Sequence, residues 1–234
     1  MSFWDNKLGM EIIARIKTDF PTKFGVPRQA GLVSGLMSEI TFEPKYRSMD
    51  CIKGLEEYSH IWLLWQFTQA KRGDISLTVR PPRLGGNTHV GVFATRSPFR
   101  PNGIALSCVR LERIESGGKR GPVLFVSGAD MTDGTPILDI KPYLPFTDSH
   151  PEASGGFADR VKAYALEVDC PKELLAKIPE GLRQPLCEIL AQDPRPSYQN
   201  DPQRVYGFEF SDFEVKFTVN DMRLRVCGIE TRKK

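Results

Sequence analysis

Short alternating runs of apolar and polar residues fill the first two thirds of the chain. Met10–Ile16 (MEIIARI) alternates in part and carries three β-branched residues, and Glu39–Glu43 (EITFE) alternates cleanly. Period-two alternation predicts strands, the second with one face toward water. Ser59–Phe67 (SHIWLLWQF) is the most apolar segment and predicts a central strand, after a loop and short helix over Tyr46–Tyr58. Val90–Ala94 predicts a short buried strand, Ile104–Ile114 a long one, and Pro122–Val126 its return partner across the glycine-rich hairpin loop Ser116–Gly121. Gly128–Pro136 (GADMTDGTP) is an acid-bearing turn, followed by another apolar run, ILDIKPYLPF. Seven or eight such strands predict a β-barrel or sandwich over roughly residues 10–168. Ala163–Val168, after the polar linker Ser149–Gly156, is expected to close the barrel.

From Pro171 the period changes. Lys172–Lys177 and Leu182–Gln192 have helical spacing, with Leu182, Leu186, Ile189 and Leu190 on one face. Asp193-Pro194 stops the second helix. Val205–Phe210, Phe213–Val219 and Met222–Ile229 then predict strands, the last two joined by a tight Asn220-Asp221 turn. The expected fold is mainly β: a single-sheet barrel domain over residues 1–168 and a small α+β domain over residues 169–234, with no Rossmann fold.

Two stretches between these elements are stiff and polar. Thr18–Leu32 holds two prolines and two glycines, with Arg28 and Gln29 offering a guanidinium fork and an amide. A loop of that length is usually functional or disordered, and Phe20, Phe24 and Leu32 argue against disorder. Arg80–Ser107 carries Arg80, Arg83, Arg96 and Arg100 among prolines and glycines. Prolines exclude a helix interior at Arg80–Arg83. Two arginine loops flanking one strand would gather guanidinium groups at one end of a sheet, where they suit carboxylate, phosphate or nucleic-acid ligands. The plainer alternative is surface pairing with the 29 acidic residues. Asp139 lies inside an apolar run, shares a face with Lys141, and wants a partner that an arginine of this stretch could supply.

Composition narrows the classes. A hydrophobic fraction of 40% and a charged fraction of 26% are ordinary for a soluble domain with a real core. A net charge of +3 is too small for the whole molecule to act as a polycation, so nucleic acid would have to be met by local clusters. Five scattered cysteines without CxxC spacing, and three histidines without HxxxH, predict no metal site and no disulfide framework. The N-terminus lacks a signal-peptide core and no run approaches a membrane span, so the expected compartment is the cytoplasm. There is no GxGxxG after the first strand, no Walker lysine and no GxSxG elbow.

The motifs PRQAGL (Pro27–Leu32), GLEEYSHIWLLW (Gly54–Trp65), RPPRLGG, GVFATRSPFRPN, DGTPILDIKPY (Asp133–Tyr143) and QDPRPSY (Gln192–Tyr198) occur in order with similar spacing. Together they resemble the TsaA/YaeB family, now called TrmO, over nearly the whole chain. The resemblance implies a β-barrel methyltransferase that uses S-adenosylmethionine and methylates N6-threonylcarbamoyladenosine beside the tRNA anticodon. It also implies a homodimer with the cofactor near the subunit interface. The cofactor-proximal positions it implies are Arg28, Gln29, Ala30, Gly31, Leu32, Phe67, Thr68, Gln69, Arg96, Leu106, Asp130, Asp133 and Gly134. The family usually reads PRQPGL and RPNPIG; here Ala30 replaces a proline, and Gly103 and Ala105 replace a proline and a glycine.

For the chemistry, the substrate amine must shed a proton to a nearby acceptor. Asp193 with Tyr198 is expected to clamp that amine and the extruded base, with Asp139 or Asp130 as alternative acceptors. Arg80, Arg83, Arg100 and Arg195 are the expected contacts to the anticodon loop of tRNA. Two other readings stay open: a non-catalytic RNA-binding barrel, and an enzyme of different chemistry on the same barrel.

Overall fold

The computed structural model describes residues 9–69, 76–81, 84, 88–195 and 201–232. Six strands close a barrel: β1 (Ala14–Lys17), β2 (Met37–Phe42), β3 (His60–Gln66), β6 (Ile104–Ser116), β7 (Pro122–Ser127) and β8 (Pro136–Pro142), in the order β1-β2-β7-β6-β3-β8. Every pairing in it is antiparallel. Alternation decides what faces in. Ala14 and Ile16, Ile40 and Phe42, Ile61, Leu63 and Trp65, and Val109 and Leu111 all enter one buried core.

Among the described residues, β4 (Thr78–Val79) and β5 (Val90–Gly91) pair with each other alone, as a small ribbon outside the barrel. Val90–Ala94 is therefore not a buried strand: Val92–Ala94 turns as a 3₁₀ helix with Phe93 exposed. Tyr46–Tyr58 likewise folds as successive 3₁₀ turns.

β9 (Glu167–Asp169) corrects a second expectation. It does not close the barrel; it lies at the edge of a separate sheet of β10 (Tyr206–Phe210), β11 (Phe213–Asn220), β12 (Arg223–Thr231) and β9, in that order, and runs parallel to β12 through Arg223↔Glu167 and Leu224↔Val168. The barrel closes on its own through Ala14↔Ile137 and Arg15↔Pro136. Short helices α1 (Pro145–Asp148), α2 (Phe157–Val161) and α3 (Lys172–Leu175) precede the long α4 (Glu180–Ala191). α4 buries Leu186, Ile189 and Leu190 against Phe208, Phe210, Phe217 and Val226. No helix among the described residues is long and apolar enough to cross a membrane.

The β1–β2 connection joins the two bodies. Phe20, Val33 and Leu36, although encoded between two barrel strands, are buried in the core of the second sheet rather than in that of the barrel.

Candidate active site

The connection over residues 18–36 hangs between barrel and second lobe. At its start, the Thr18 amide donates to Asp133 Oδ1 at 3.0 Å and the Thr18 hydroxyl to the Met131 carbonyl at 3.1 Å. Gly25, at φ 85°, lies against the Phe208 ring: a β-carbon there would sit 2.2 Å from Cδ2. Only glycine fits that approach and that backbone. Next, the Arg28 amide donates to Gln192 Oε1 (3.4 Å) and Arg28 Nη2 to the Asp193 carbonyl (2.7 Å). The Gly31 amide returns to the barrel at the Gly128 carbonyl (2.9 Å), and the Ser34 amide reaches Glu188 Oε2 of α4 (2.8 Å).

The loop thereby forms one wall of a cavity of about 620 Å³, within the range of small-molecule sites. The barrel supplies the opposite wall. Arg96 Nη1 crosses to Gln29 Oε1 at 2.6 Å. The indole N–H of Trp65 donates to Ser107 Oγ (2.8 Å), whose own hydroxyl donates to Asp130 Oδ1 (2.5 Å). Burial raises the Asp130 carboxyl above its ordinary range, against the hydrogen bonds from Ser107 and the Ala30 amide and the charge of Arg96. Among the described residues Asp130 is the one carboxylate lining the cavity, facing Arg28, Arg96, Arg100 and Lys23. Such a site suits a ligand with an anionic end and a cationic centre. Phe99 lines the same cavity while 56% exposed, so a flat ring has a face to stack on.

Of the expected cofactor positions, Arg28, Gln29, Phe67, Thr68, Gln69, Arg96, Leu106 and Asp130 line the cavity. Ala30, Gly31, Leu32, Asp133 and Gly134 stand outside its lining. Ala30 reaches it only through its amide on Asp130, and Gly31 anchors the loop. The Leu32 carbonyl accepts from Gln192 Nε2 at 3.5 Å. Asp133 receives Thr18, and Gly134 makes the tight turn beside β1 at φ 73°. Gly103 adopts φ 58°, which the family's proline cannot reach, so the chain enters β6 by its own path. Ala105, where the family has glycine, is one of the residues that line the cavity.

The expected acceptors fare differently. Asp139 is not among the cavity's lining residues; among the described residues its ion-pair partner is Lys141 Nζ at 2.9 Å. Tyr198 lies outside the described residues, as does Arg83. Asp193 is held at φ 54° in a tight cluster. Arg195 Nε and Nη2 clasp its two oxygens at 2.8 and 2.9 Å, and the Tyr164 hydroxyl donates to Oδ2 at 2.8 Å. Burial alone would raise this carboxyl, but the Arg195 and Tyr164 hydrogen bonds outweigh it and hold it below the ordinary range. The carboxylate of Asp193 is thus engaged by Arg195 and Tyr164, and the Arg195 side chain, 9% exposed, is turned onto Asp193. Among the described residues its Nη1 is buried with no hydrogen-bond partner. Arg100 lines the cavity and donates to the Thr95 carbonyl (3.0 Å), while Arg80 on the outer ribbon donates to His89 Nε2 (3.0 Å).

Ser107, Trp65 and Thr135 contribute to the site without being expected there. Ser107 carried a signal: it is the polar residue on an inward face otherwise made by Ala105, Val109 and Leu111, and such a group wants a partner.

The N-terminal-domain model of tRNA-methyltransferase O matches residues 15–149, and the C-terminal-domain model of TrmO matches residues 163–232. A tRNA (adenine(37)-N6)-methyltransferase of Escherichia coli (strain K12) is 41% identical over 230 residues, covering 95% of this chain and 97% of the relative. A putative S-adenosylmethionine-dependent methyltransferase, RcsF, of Pseudomonas aeruginosa is 43% identical over 211 residues, covering 87% and 89%. The crystal structure of TrmO from P. aeruginosa superposes with a TM-score of 0.76 at 34% identity, over 99% of this chain and 100% of that one. Barrel, second lobe and the loop between them thus lie in one matched whole, and the chain belongs to the tRNA-methyltransferase O family.

Proposed function

We propose that the chain uses this cavity to transfer a methyl group from S-adenosylmethionine to N6 of adenine 37 in tRNA. The accepted form is N6-threonylcarbamoyladenosine, in the anticodon loop, and the working unit is a cytoplasmic homodimer. The names of the relatives support the reaction, and one observation carries the site: a desolvated carboxylate faces guanidinium groups across a single cavity. Arg28 and Arg96 suit the carboxylate of the cofactor's amino-acid end, and Asp130 suits its positive charges. S-adenosylmethionine, when bound, supplies an electrophilic methyl on a sulfonium centre. The chain's own part is to place N6 in line, exclude water, and take the proton that N6 loses. Asp130 is the lining carboxylate able to accept it, and Ser107 and Trp65 hold its Oδ1 side in place.

Phe99, with Arg100 beside it in the lining, supports stacking and phosphate contacts for an extruded nucleotide. Leu106, 52% exposed and paired with Leu64 across the β3–β6 ladder, gives a second copy an apolar place to pack. A barrel that only bound RNA would have no use for a desolvated acid in its cavity.

The test is methylation in vitro of tRNA with and without threonylcarbamoylation, read by nucleoside mass spectrometry. One methyl is expected on the modified nucleoside, with turnover by Arg96→Ala reduced about tenfold or more. Retained tRNA binding without any methyl transfer would replace this reading with that of an RNA-binding barrel.

A further inference from the structure

We propose that Asp193 and Arg195 act on the reaction through the Arg28–Ser34 loop: they form a positioning pair by which the second lobe sets the wall of the cofactor site. This rests on the reading of the cavity given above. Four observations converge. The Asp193 carbonyl receives Arg28 Nη2 at 2.7 Å, and the direction of that carbonyl depends on a left-handed residue, φ 54°. Non-glycine residues hold that conformation only when their surroundings over-determine it. Here the surroundings are the two-pronged clasp of Arg195 and the Tyr164 hydroxyl. The neighbouring Gln192 takes the Arg28 amide at 3.4 Å, and Glu188, one turn earlier on α4, takes the Ser34 amide and hydroxyl. Arg28 lines the cavity; Asp193 and Arg195 do not. The pair therefore governs where an arginine of the site stands without touching the ligand.

Two readouts keep the proposal and the cavity reading apart. Hydrogen exchange on the full-length protein, with no ligand added, follows the amides of Arg28 and Ser34. In Arg195→Lys, which keeps the charge and loses the fork, these amides are expected to exchange about tenfold faster or more. The strands β3 and β6 should keep their protection. Unchanged exchange over residues 26–34 would overturn the pair's role. Calorimetric titration with S-adenosylmethionine then reads the site. Affinity should fall about tenfold, kcat at saturating cofactor should stay within about twofold, and adding Arg28→Ala should cost no more than Arg28→Ala alone. A loosened loop with unchanged affinity would leave the pair standing and remove the cavity from cofactor binding. Full affinity and a normal loop with lost methyl transfer would return Asp193 to a direct role in the chemistry. Should Arg195→Lys not fold, Tyr164→Phe removes one hydrogen bond to Asp193 Oδ2. It must speed exchange at the Arg28 amide, and unchanged exchange there contradicts the proposal.

Discussion

Asp130 and Asp193 are two aspartates on opposite sides of one loop, and their surroundings drive them apart. Burial raises Asp130, whose partners are mostly neutral donors, whereas the clasp of Arg195 lowers Asp193 despite its burial. The signs give opposite dependence on pH. The stability contributed by Asp130 is full below the unfolded carboxyl value, near about 4, and is lost as pH rises through its higher folded value. That of Asp193 is present above about pH 4 and is lost as pH falls through its lower folded value. Asp130→Asn, which removes the desolvated charge, is therefore expected to raise the melting temperature at neutral pH by roughly 2–4 °C. The same change should weaken S-adenosylmethionine about tenfold or more, a stability gained at the expense of the site. A lowered melting temperature in differential scanning would show that the charge is compensated. The two acids looked alike in the sequence. Asp130 takes its hydroxyl partner from Ser107 on another strand, and Arg195, two residues from Asp193, reads in isolation as one more surface charge.

At the scale of elements, local periodicity carried most strands and the apolar face of α4 to their correct places. It failed where pairing was thin or distant. Val90–Ala94 is apolar enough for a strand, but among the described residues just Val90–Gly91 pairs, with Thr78–Val79. β9 takes its partner from β12, far along the chain, and nothing near residues 163–168 announces that choice. The β1–β2 loop was legible as stiff and functional, but its attachment was not, because its bonds to Gln192 and Asp193 span 164 and 165 positions. Gly25 gives a direct probe of that attachment. An alanine there must adopt φ 85° and push the Phe208 ring aside, so Gly25→Ala is expected to destabilise the protein by roughly 2–4 kcal/mol. Urea denaturation should show the midpoint falling, and an unchanged midpoint would mean that the loop does not bear on the second core.

Over the whole molecule, the second lobe completes the barrel's site. The barrel brings Arg96, Ser107, Asp130 and the Trp65–Phe67 aromatic pair; the lobe holds Arg28 and Gln29 against them through the loop it anchors. The positions implied by the family resemblance include eight of the residues that line the cavity, while the geometry separates these from Asp133, Gly134 and Gly31, which shape the loops around it. The most direct measurement is calorimetric titration of S-adenosylmethionine into the full-length protein and into Arg96→Ala. Binding by the unmodified chain, weakened about tenfold or more when Arg96 is removed, is the expected result. Absence of binding by the unmodified chain, or equal affinity in the two proteins, would contradict the placement of the cofactor in this cavity.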